Sequence, residues 1–139
     1  MREMVTRQTH LALSTDEGAT WSAPELAGFQ GSNITLVRLN DGTLLCAYRD
    51  EDPARWGVSL SVSEDGTAWR WIGQLYRGDA NSRHEPTMYC GYPAFTRLSQ
   101  GELLCVLHTY VDDAGRGDLQ LIRLRDRTEP RPGAAGGAS

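Results

Sequence analysis

Side chains that could bind a metal ion lie close together in the segment NSRHEPTMYC, which contains His84, Glu85 and Cys90. Imidazole, carboxylate and thiolate groups are all ligands of transition metals. Their spacing fits no standard zinc pattern, because such patterns place two ligands a few residues apart and add a second pair further along the chain. We therefore interpret the segment as a loop that connects two structural units. The sequence predicts no metal site and no cofactor.

The three cysteines could form disulfides, but an odd number argues against a disulfide framework. Cys46 and Cys105 each follow a pair of leucines in an apolar run. A free cysteine in such a run behaves as a small buried apolar residue. We expect both thiols to be unpaired and buried.

Two clusters of serine, aspartate, glycine and tryptophan are predicted to form turns that are held by side-chain hydrogen bonds. The clusters lie in STDEGATWSAP (Ser14–Pro24) and in SEDGTAW (Ser63–Trp69). The serine and aspartate side chains of such a turn bond backbone N–H groups, the glycine adopts a left-handed conformation, and the tryptophan packs beneath the turn. The residues concerned are Ser14, Asp16, Gly18 and Trp21 in the first cluster, and Ser63, Asp65, Gly66 and Trp69 in the second.

The elements that position these residues repeat along the chain. LVRLNDGTLLCAY (Leu36–Tyr48) and FTRLSQGELLCVL (Phe95–Leu107) match at a constant offset of 59 residues. Each copy consists of an apolar run, a turn that contains glycine and a second apolar run, which predicts a β-hairpin. WGVSLSVS and WRWIGQLY add two strands to the first copy. Four strands are therefore predicted between Ile34 and Tyr76, with a Ser-Asp-Gly-Trp turn between the third and the fourth.

Four-stranded antiparallel units that recur every roughly 40–60 residues are typical of β-propeller blades. The chain divides accordingly into the end of one blade (8–27), a complete blade (32–78), three strands of a further blade (91–125) and a tail (126–139) that we expect to be disordered. The predicted fold is all-β, with roughly two and a half blades, whereas closed propellers usually have at least four. We expect a fragment of a longer protein, or else a ring completed by other chains.

The charge pattern and the apolar runs exclude several kinds of partner. The net charge is −4 and acidic and basic residues are interspersed, so no basic surface for nucleic acid is predicted. No apolar stretch is long enough to cross a bilayer. The N-terminal residues MREMVTRQTHLALS lack the apolar core of a signal peptide, and the localisation stays open.

The pattern Ser-x-Asp-x-Gly-x-Thr-Trp resembles the Asp-box of sialidases (neuraminidases) and of related proteins with bacterial neuraminidase repeats. In that family the box is structural and lies away from the active site. Three further stretches are similar to sialidases in the same order: FQGSNITLV (Phe29–Val37), the arginine of ARWGVSLSVSEDG eight residues before Ser63, and CGYPAFTRL (Cys90–Leu98). The resemblance covers about residues 7–125. It implies a partial six-bladed propeller, from the end of blade four to blade six.

The resemblance also implies roles for individual residues. Tyr92 corresponds to the catalytic tyrosine, and Arg55 to an arginine that binds the substrate carboxylate. Arg7 is the candidate for a second such arginine, with Arg2 as the alternative. In the family, the first arginine, the acid/base aspartate and the glutamate partner of the tyrosine all lie upstream, so we expect the chain alone to be inactive. Pro93 departs from the family pattern, which usually has a serine after the tyrosine.

The chemistry of sialic acid explains why the family uses these residue types. The sugar carries a carboxylate on its anomeric carbon, and the fork of an arginine matches a carboxylate. A neutral tyrosine avoids the repulsion that an anionic nucleophile would meet. Because the first and third strands of an antiparallel blade run the same way, the side chains of Tyr92 and Arg55 should meet at one mouth of the ring, and the Asp-box turns should lie at the opposite end.

Three functions remain open from the sequence. The first is part of an exo-α-sialidase-like glycoside hydrolase that acts on terminal sialic acids, with a sialylated or other glycan and the remaining blades as partners. The second is a non-catalytic propeller that binds glycans or proteins, and the third is a module that closes a propeller with a partner chain. Each residue also has a structural alternative: Tyr92 as an aromatic packing residue at a strand start, Arg55 as a solvated ion pair with the nearby Asp50, Glu51 and Asp52, and Arg7 as an exposed strand residue. Arg49, at the end of CAYRD, is a further candidate for a residue of the rim.

Overall fold

The structure is a computed structural model that describes residues 8–78, 90–99, 101–110 and 117–128. Within these ranges the chain forms nine β-strands and no helix. The strands are β1 (His10–Leu11), β2 (Glu25–Leu26), β3 (Gly31–Arg38), β4 (Leu44–Asp50), β5 (Gly57–Ser63), β6 (Arg70–Arg77), β7 (Cys90–Ser99), β8 (Glu102–Tyr110) and β9 (Gly117–Arg125). The described part of the chain therefore contains no helix that could span a membrane.

The strands form three antiparallel sheets, which we call the first sheet (β1–β2), the central sheet (β3–β6) and the third sheet (β7–β9). Strands that are neighbours in the sequence are neighbours in each sheet. The all-β prediction is confirmed, and the four strands predicted between Ile34 and Tyr76 are those of the central sheet.

The central sheet is buried on both faces, as β4 shows. Residues 45–48 are all buried, although successive side chains of a strand point to opposite faces. On one face, Ala47 and Val58 pack against Cys90 and Leu107 of the third sheet, and all four are at most 1% exposed. This apolar cluster joins the central and third sheets.

The opposite face of the central sheet packs against the segment that carries the first sheet. Phe29 stacks on Tyr48 with ring centroids 4.3 Å apart, and the Tyr48 hydroxyl lies 3.1 Å from Ser61 Oγ. The Thr9 hydroxyl donates to the Gly31 carbonyl and accepts from its N–H, at 2.9 and 3.1 Å. These contacts fix the chain entering β3 against the first sheet.

All three cysteines are free and buried, as expected for the two that follow paired leucines. Burial raises the pKa of the Cys46 thiol to about 12 and that of Cys105 to about 11, and it raises the pKa of Cys90 as well. The thiols therefore serve as apolar packing groups at neutral pH.

Polar contacts join the central and third sheets beyond the end of β9. Asp126 accepts a hydrogen bond from the backbone N–H of Asn40 at 2.8 Å, and Arg97 donates to Asn40 Oδ1 at 3.0 Å. Asp126 and Thr128, at the start of the predicted tail, thus contact the β3–β4 turn. Residues 129–139 lie outside the described residues, as do Arg7, His84 and Glu85.

Candidate functional site

The first Asp-box turn, between β1 and β2, is held by side-chain hydrogen bonds of the predicted kind. Ser14 Oγ accepts from the N–H of Gly18 at 2.7 Å, and Asp16 Oδ1 accepts from the N–H of Thr20 at 2.8 Å. The Thr20 hydroxyl donates to the second Asp16 oxygen at 2.6 Å. The Thr20 hydroxyl has the largest effect on the pKa of Asp16, followed by the Thr20 N–H and the Ser14 hydroxyl, and together these hydrogen bonds lower that pKa to about 2. The carboxylate therefore serves the turn.

The second box, between β5 and β6, reproduces these bonds with one residue fewer. The N–H of Gly66 donates to Ser63 Oγ at 2.9 Å, and the N–H groups of Thr67 and Ala68 donate to Asp65 Oδ1. The Ala68 bond leads the causes that hold the Asp65 pKa well below its usual range. The residue that the second box lacks corresponds to Glu17, which is left-handed in the first box (φ 58°).

The two tryptophans differ in burial, although each indole donates to the carbonyl of the glycine three residues before it. Trp69 is half-buried and lies edge-on to Phe29 at 6.2 Å, whereas Trp21 is 64% exposed. Trp21 therefore contacts its own turn but is otherwise exposed, whereas Trp69 also packs against a ring from outside its turn. The reason is that the described first sheet has only two strands of two residues each, which offer little surface to cover the ring.

The opposite end of the sheets, where β3, β5 and β7 begin, carries a pair of equivalent β-bulges, and we call it the bulge end. The register of β3 shifts between Ser32 and Thr35, and that of β7 shifts between Gly91 and Ala94. These positions are related by the same 59-residue offset as the sequence repeat. The residue in the left-handed conformation is Asn33 in β3 and Tyr92 in β7, with φ 51° in both.

Tyr92 projects from the bulge end with 65% of its surface exposed. The guanidinium of Arg49, at the end of β4, lies over the ring with Cζ 5.2 Å from the centroid. Arg49 Nε also donates to the carbonyl of Cys90 at 2.7 Å. The arginine in contact with the tyrosine is thus Arg49, which the sequence marked only as a rim residue.

Arg55 lies in the β4–β5 connection, between two carboxylates. Its Nη2 is 2.9 Å from Asp52, and its Nε is 3.3 Å from Asp50 without the alignment of a hydrogen bond. Asp50 is 1% exposed and also accepts from the Ser59 hydroxyl at 2.6 Å. Trp71 completes the environment of Arg55, with the guanidinium carbon 5.5 Å from its ring centroid. The side chain of Arg55 is 36% exposed.

A cleft of about 500 Å³ opens beside Arg55, between the first and central sheets. Thr9, Phe29 and Gln30 line it together with Asp52 and Arg55. Tyr92 does not line this cleft, since it contacts Arg49 across the other face of the central sheet. Within the described ranges, no group of three or more His, Cys, Asp and Glu side chains could hold a metal ion.

Arg55 and Tyr92 lie at the same end of the sheets but on opposite sides of β4. Arg55 pairs with Asp50, and Tyr92 contacts the neighbouring Arg49, whose side chain points to the other face. Asp65 lies in the turn at the far end of β5. The arrangement is therefore two arginines and an exposed tyrosine at one end and the Asp-box turns at the other.

Comparisons with known proteins agree with this architecture. The three antiparallel sheets with Asp-box turns define an all-β repeat protein, and the model of the BNR repeat-like domain family matches residues 1–105. The chain belongs to this family. It is similar in structure to a protein of unknown function from Dyadobacter fermentans DSM 18053, with a TM-score of 0.66 and 25% identity. The match covers 89% of this chain and 33% of that one, so the chain spans about a third of its length. No curated protein matches the chain significantly.

Proposed function

We propose that the three sheets are successive blades, about the fourth to the sixth, of a sialidase-like β-propeller. We propose further that this propeller is an exo-α-sialidase-like glycoside hydrolase that acts on terminal sialic acids of glycoconjugates. The chain would supply the end of the ring, and the remaining blades would come from the same parent chain or a partner. The observation that carries the proposal is Tyr92, an exposed tyrosine in a left-handed conformation at the same end as Arg55.

A comparison of the two bulges shows that the fold requires the left-handed conformation at this position but does not require a tyrosine there. Both copies of the repeat adopt the left-handed conformation, so the bulge itself belongs to the architecture. Asparagine tolerates this conformation, as at Asn33, whereas a bulky residue there is an outlier that costs about 1–3 kcal/mol. Tyr92 therefore bears strain that an asparagine would relieve, without gaining burial. A reactive phenol at the bulge end supplies a reason for it.

The environment of Arg55 suits a carboxylate ligand. A guanidinium has five N–H donors, and the two aspartates face only its Nε and Nη2. The buried Asp50 is itself fixed by Ser59 and by the N–H of Asp52, so it orients the arginine. The remaining donors are able to bind an incoming carboxylate bidentately. Because sialic acid carries its carboxylate on the carbon that Tyr92 attacks, the proposal requires Arg55 to reach this carboxylate around the end of β4 rather than inside the cleft.

In the proposed reaction, Tyr92 Oη attacks the anomeric carbon while the bond to the leaving oxygen breaks. A glutamate takes the phenolic proton, and an aspartate protonates the leaving oxygen. Water then attacks the anomeric carbon and gives a proton to the aspartate, while the tyrosyl–sugar bond breaks and the glutamate returns the phenolic proton to Tyr92 Oη. In this proposal the glutamate, the aspartate and the first arginine would come from other blades of the propeller, and Arg7 is the candidate for the second arginine.

The test is hydrolysis of a fluorogenic α-sialoside. The protein assayed is the product of the whole open reading frame, which includes any in-frame sequence upstream of Met1. We expect Tyr92→Phe to abolish release while leaving the binding of a dehydrated sialic acid analogue intact. Arg55→Ala should weaken that binding about 30- to 150-fold, the equivalent of about 2–3 kcal/mol for a charge-assisted pair. Arg70→Ala, an exposed arginine at the Asp-box end, is the matched control. Full activity of Tyr92→Phe would overturn the assignment of the nucleophile.

A second candidate is a sialidase-like propeller that binds glycans without hydrolysing them. It is favoured by the neutralisation of Arg55, whose single positive charge faces both Asp50 and Asp52. Pro93, which follows Tyr92 where the family usually has serine, points the same way. Binding of the sialoside by the wild-type protein with no release, and no effect of Tyr92→Phe on affinity, would support this candidate.

A further inference from the structure

Arg49 connects the bulge of the central sheet to the bulge of the third sheet. In the register of the central sheet, Arg49 is the cross-strand partner of Ser32, the residue just before Asn33. Its side chain then leaves the sheet, donates from Nε to the Cys90 carbonyl and covers the ring of Tyr92. One side chain thus touches both the backbone before the second bulge and the aromatic group at it.

Gly91 leaves the room that this side chain occupies. A Cβ at Gly91 would lie 2.6 Å from Arg49 Nε and 2.8 Å from Nη2, closer than real carbon atoms approach. Its φ of 145° is also one that residues with side chains rarely adopt. The segment from Cys90 to Tyr92 is therefore shaped around the guanidinium.

The arginine itself is not repeated in the second copy. The residue 59 positions after Arg49 is His108, which lies opposite Gly91 in the register of the third sheet. Arginine and histidine at equivalent positions share neither length nor geometry. A lysine would also fail to replace Arg49, because it has neither the Nε–H donor nor the planar group that stacks on an aromatic ring.

We propose that Arg49 is a positioning residue for Tyr92: it holds the Cys90–Tyr92 segment in its bulged, left-handed conformation and orients the phenol at the bulge end. This inference rests on the proposed function for the use of the phenol, but the conformational hold is a property of the chain itself. Arg49 binds no substrate in this scheme, which distinguishes it from Arg55.

The conformational part is tested on the full chain by hydrogen–deuterium exchange, read by mass spectrometry on peptides that cover 90–99 and 44–50. Arg49→Lys keeps the charge but loses the Nε–H bond, and should speed exchange in 90–99 roughly 10-fold, as expected for a lost charge-assisted hydrogen bond. The 44–50 peptide should be unchanged. The 90–99 peptide should also be unchanged in Arg38→Lys, a control in which the guanidinium donates to the Gly42 carbonyl of its own turn, while the backbone carbonyl that accepts from Arg97 is kept. Unchanged exchange of 90–99 in Arg49→Lys would overturn the proposal.

The catalytic part is tested in the protein that hydrolyses the α-sialoside. Arg49→Lys should lower kcat roughly 10-fold and leave KM unchanged, because the orientation of the nucleophile changes and substrate binding does not. Arg49→Ala should behave in the same way, with Arg49→Lys decisive if the alanine variant fails to fold. A raised KM at constant kcat would refute positioning. If no variant or wild-type protein hydrolyses the sialoside but exchange rises as expected, the proposed function fails and the conformational role of Arg49 stands.

Discussion

Replacement of Asp50 by asparagine is the perturbation whose effect the structure defines best. The carboxylate is 1% exposed and receives hydrogen bonds from the Ser59 hydroxyl at 2.6 Å and the Asp52 N–H at 3.0 Å. Arg55 Nε adds a charge 3.3 Å away. Asparagine preserves the shape of the side chain, so the variant isolates the loss of the negative charge.

The expected loss of stability is about 3–4 kcal/mol. Each hydrogen bond weakens by about 1 kcal/mol when its acceptor becomes neutral. The ion pair contributes about 1–2 kcal/mol, more than an exposed pair, because one partner is buried, and less than a fully buried pair, because Arg55 is 36% exposed. Asp52→Asn is the matched control. Its carboxylate pairs with the same guanidinium at 2.9 Å and accepts from the Ala54 N–H at 2.9 Å, but it is 37% exposed, so the variant should lose about 1–2 kcal/mol.

The assay is urea unfolding followed by tryptophan fluorescence, at one protein concentration for all variants. The double variant with Arg55→Gln gives the coupling energy of each pair. We expect the Asp50–Arg55 coupling to exceed the Asp52–Arg55 coupling, since burial outweighs the better geometry of the exposed pair. Equal losses in Asp50→Asn and Asp52→Asn would refute the reasoning that Asp50 is the group that fixes Arg55.

Three further predictions concern the turns, the thiols and the outer face of the third sheet. The pKa of Asp16 is lowered from 3.8 to about 2, so its ionised form stabilises the fold above pH 3.8 and this contribution is lost as the pH falls towards 2. Asp16→Asn should therefore flatten the dependence of the free energy of unfolding on pH in that range. An unchanged slope would contradict this prediction. The three thiols should react with a thiol reagent such as Ellman's reagent only after unfolding, since burial raises their pKa; rapid reaction of the folded protein would exclude their burial. Leu119 and Leu121 on β9, the last described strand of the third sheet, are 68% and 64% exposed, so the isolated chain should associate. The double variant Leu119→Glu and Leu121→Glu should reduce the associated fraction. A sharp monomer peak for the wild-type chain in size-exclusion chromatography would refute this prediction.

The sequence predicts the strands well because the signals for them are local. The central sheet follows from alternation in β5 and from apolar runs on either side of the Gly42 turn, and Gly42 is left-handed as the hairpin requires (φ 89°). The hydrogen bonds of the Asp-box turns also follow from residues within six positions of each other. Neither prediction needs knowledge of how the sheets pack.

The candidate site is predicted less completely because its contacts join separate sheets. Tyr92 and Arg55 were singled out by resemblance, and their roles remain predictions. The contact between Arg49 and Tyr92 joins residues in different sheets, and no spacing rule within a strand reveals it. The exposure of Trp21 was missed for a related reason, since burial depends on the neighbouring strands rather than on the turn itself.

A comparison of the two repeat copies within this one chain separates structural positions from candidate functional ones. Where the copies agree, the residues serve the fold: Cys46 and Cys105 are both buried, and Gly42 and Gly101 are both left-handed at hairpin turns. Where they differ at the bulge end, the differing residues come together. The first copy has Asn33 at the left-handed position, and the second copy has the less well tolerated Tyr92. The first copy has Arg49 where the second has His108, and Arg49 contacts the ring of Tyr92. A fold that only repeated its unit would have no need of either residue, and their contact is the reason why we propose the function at this end of the sheets.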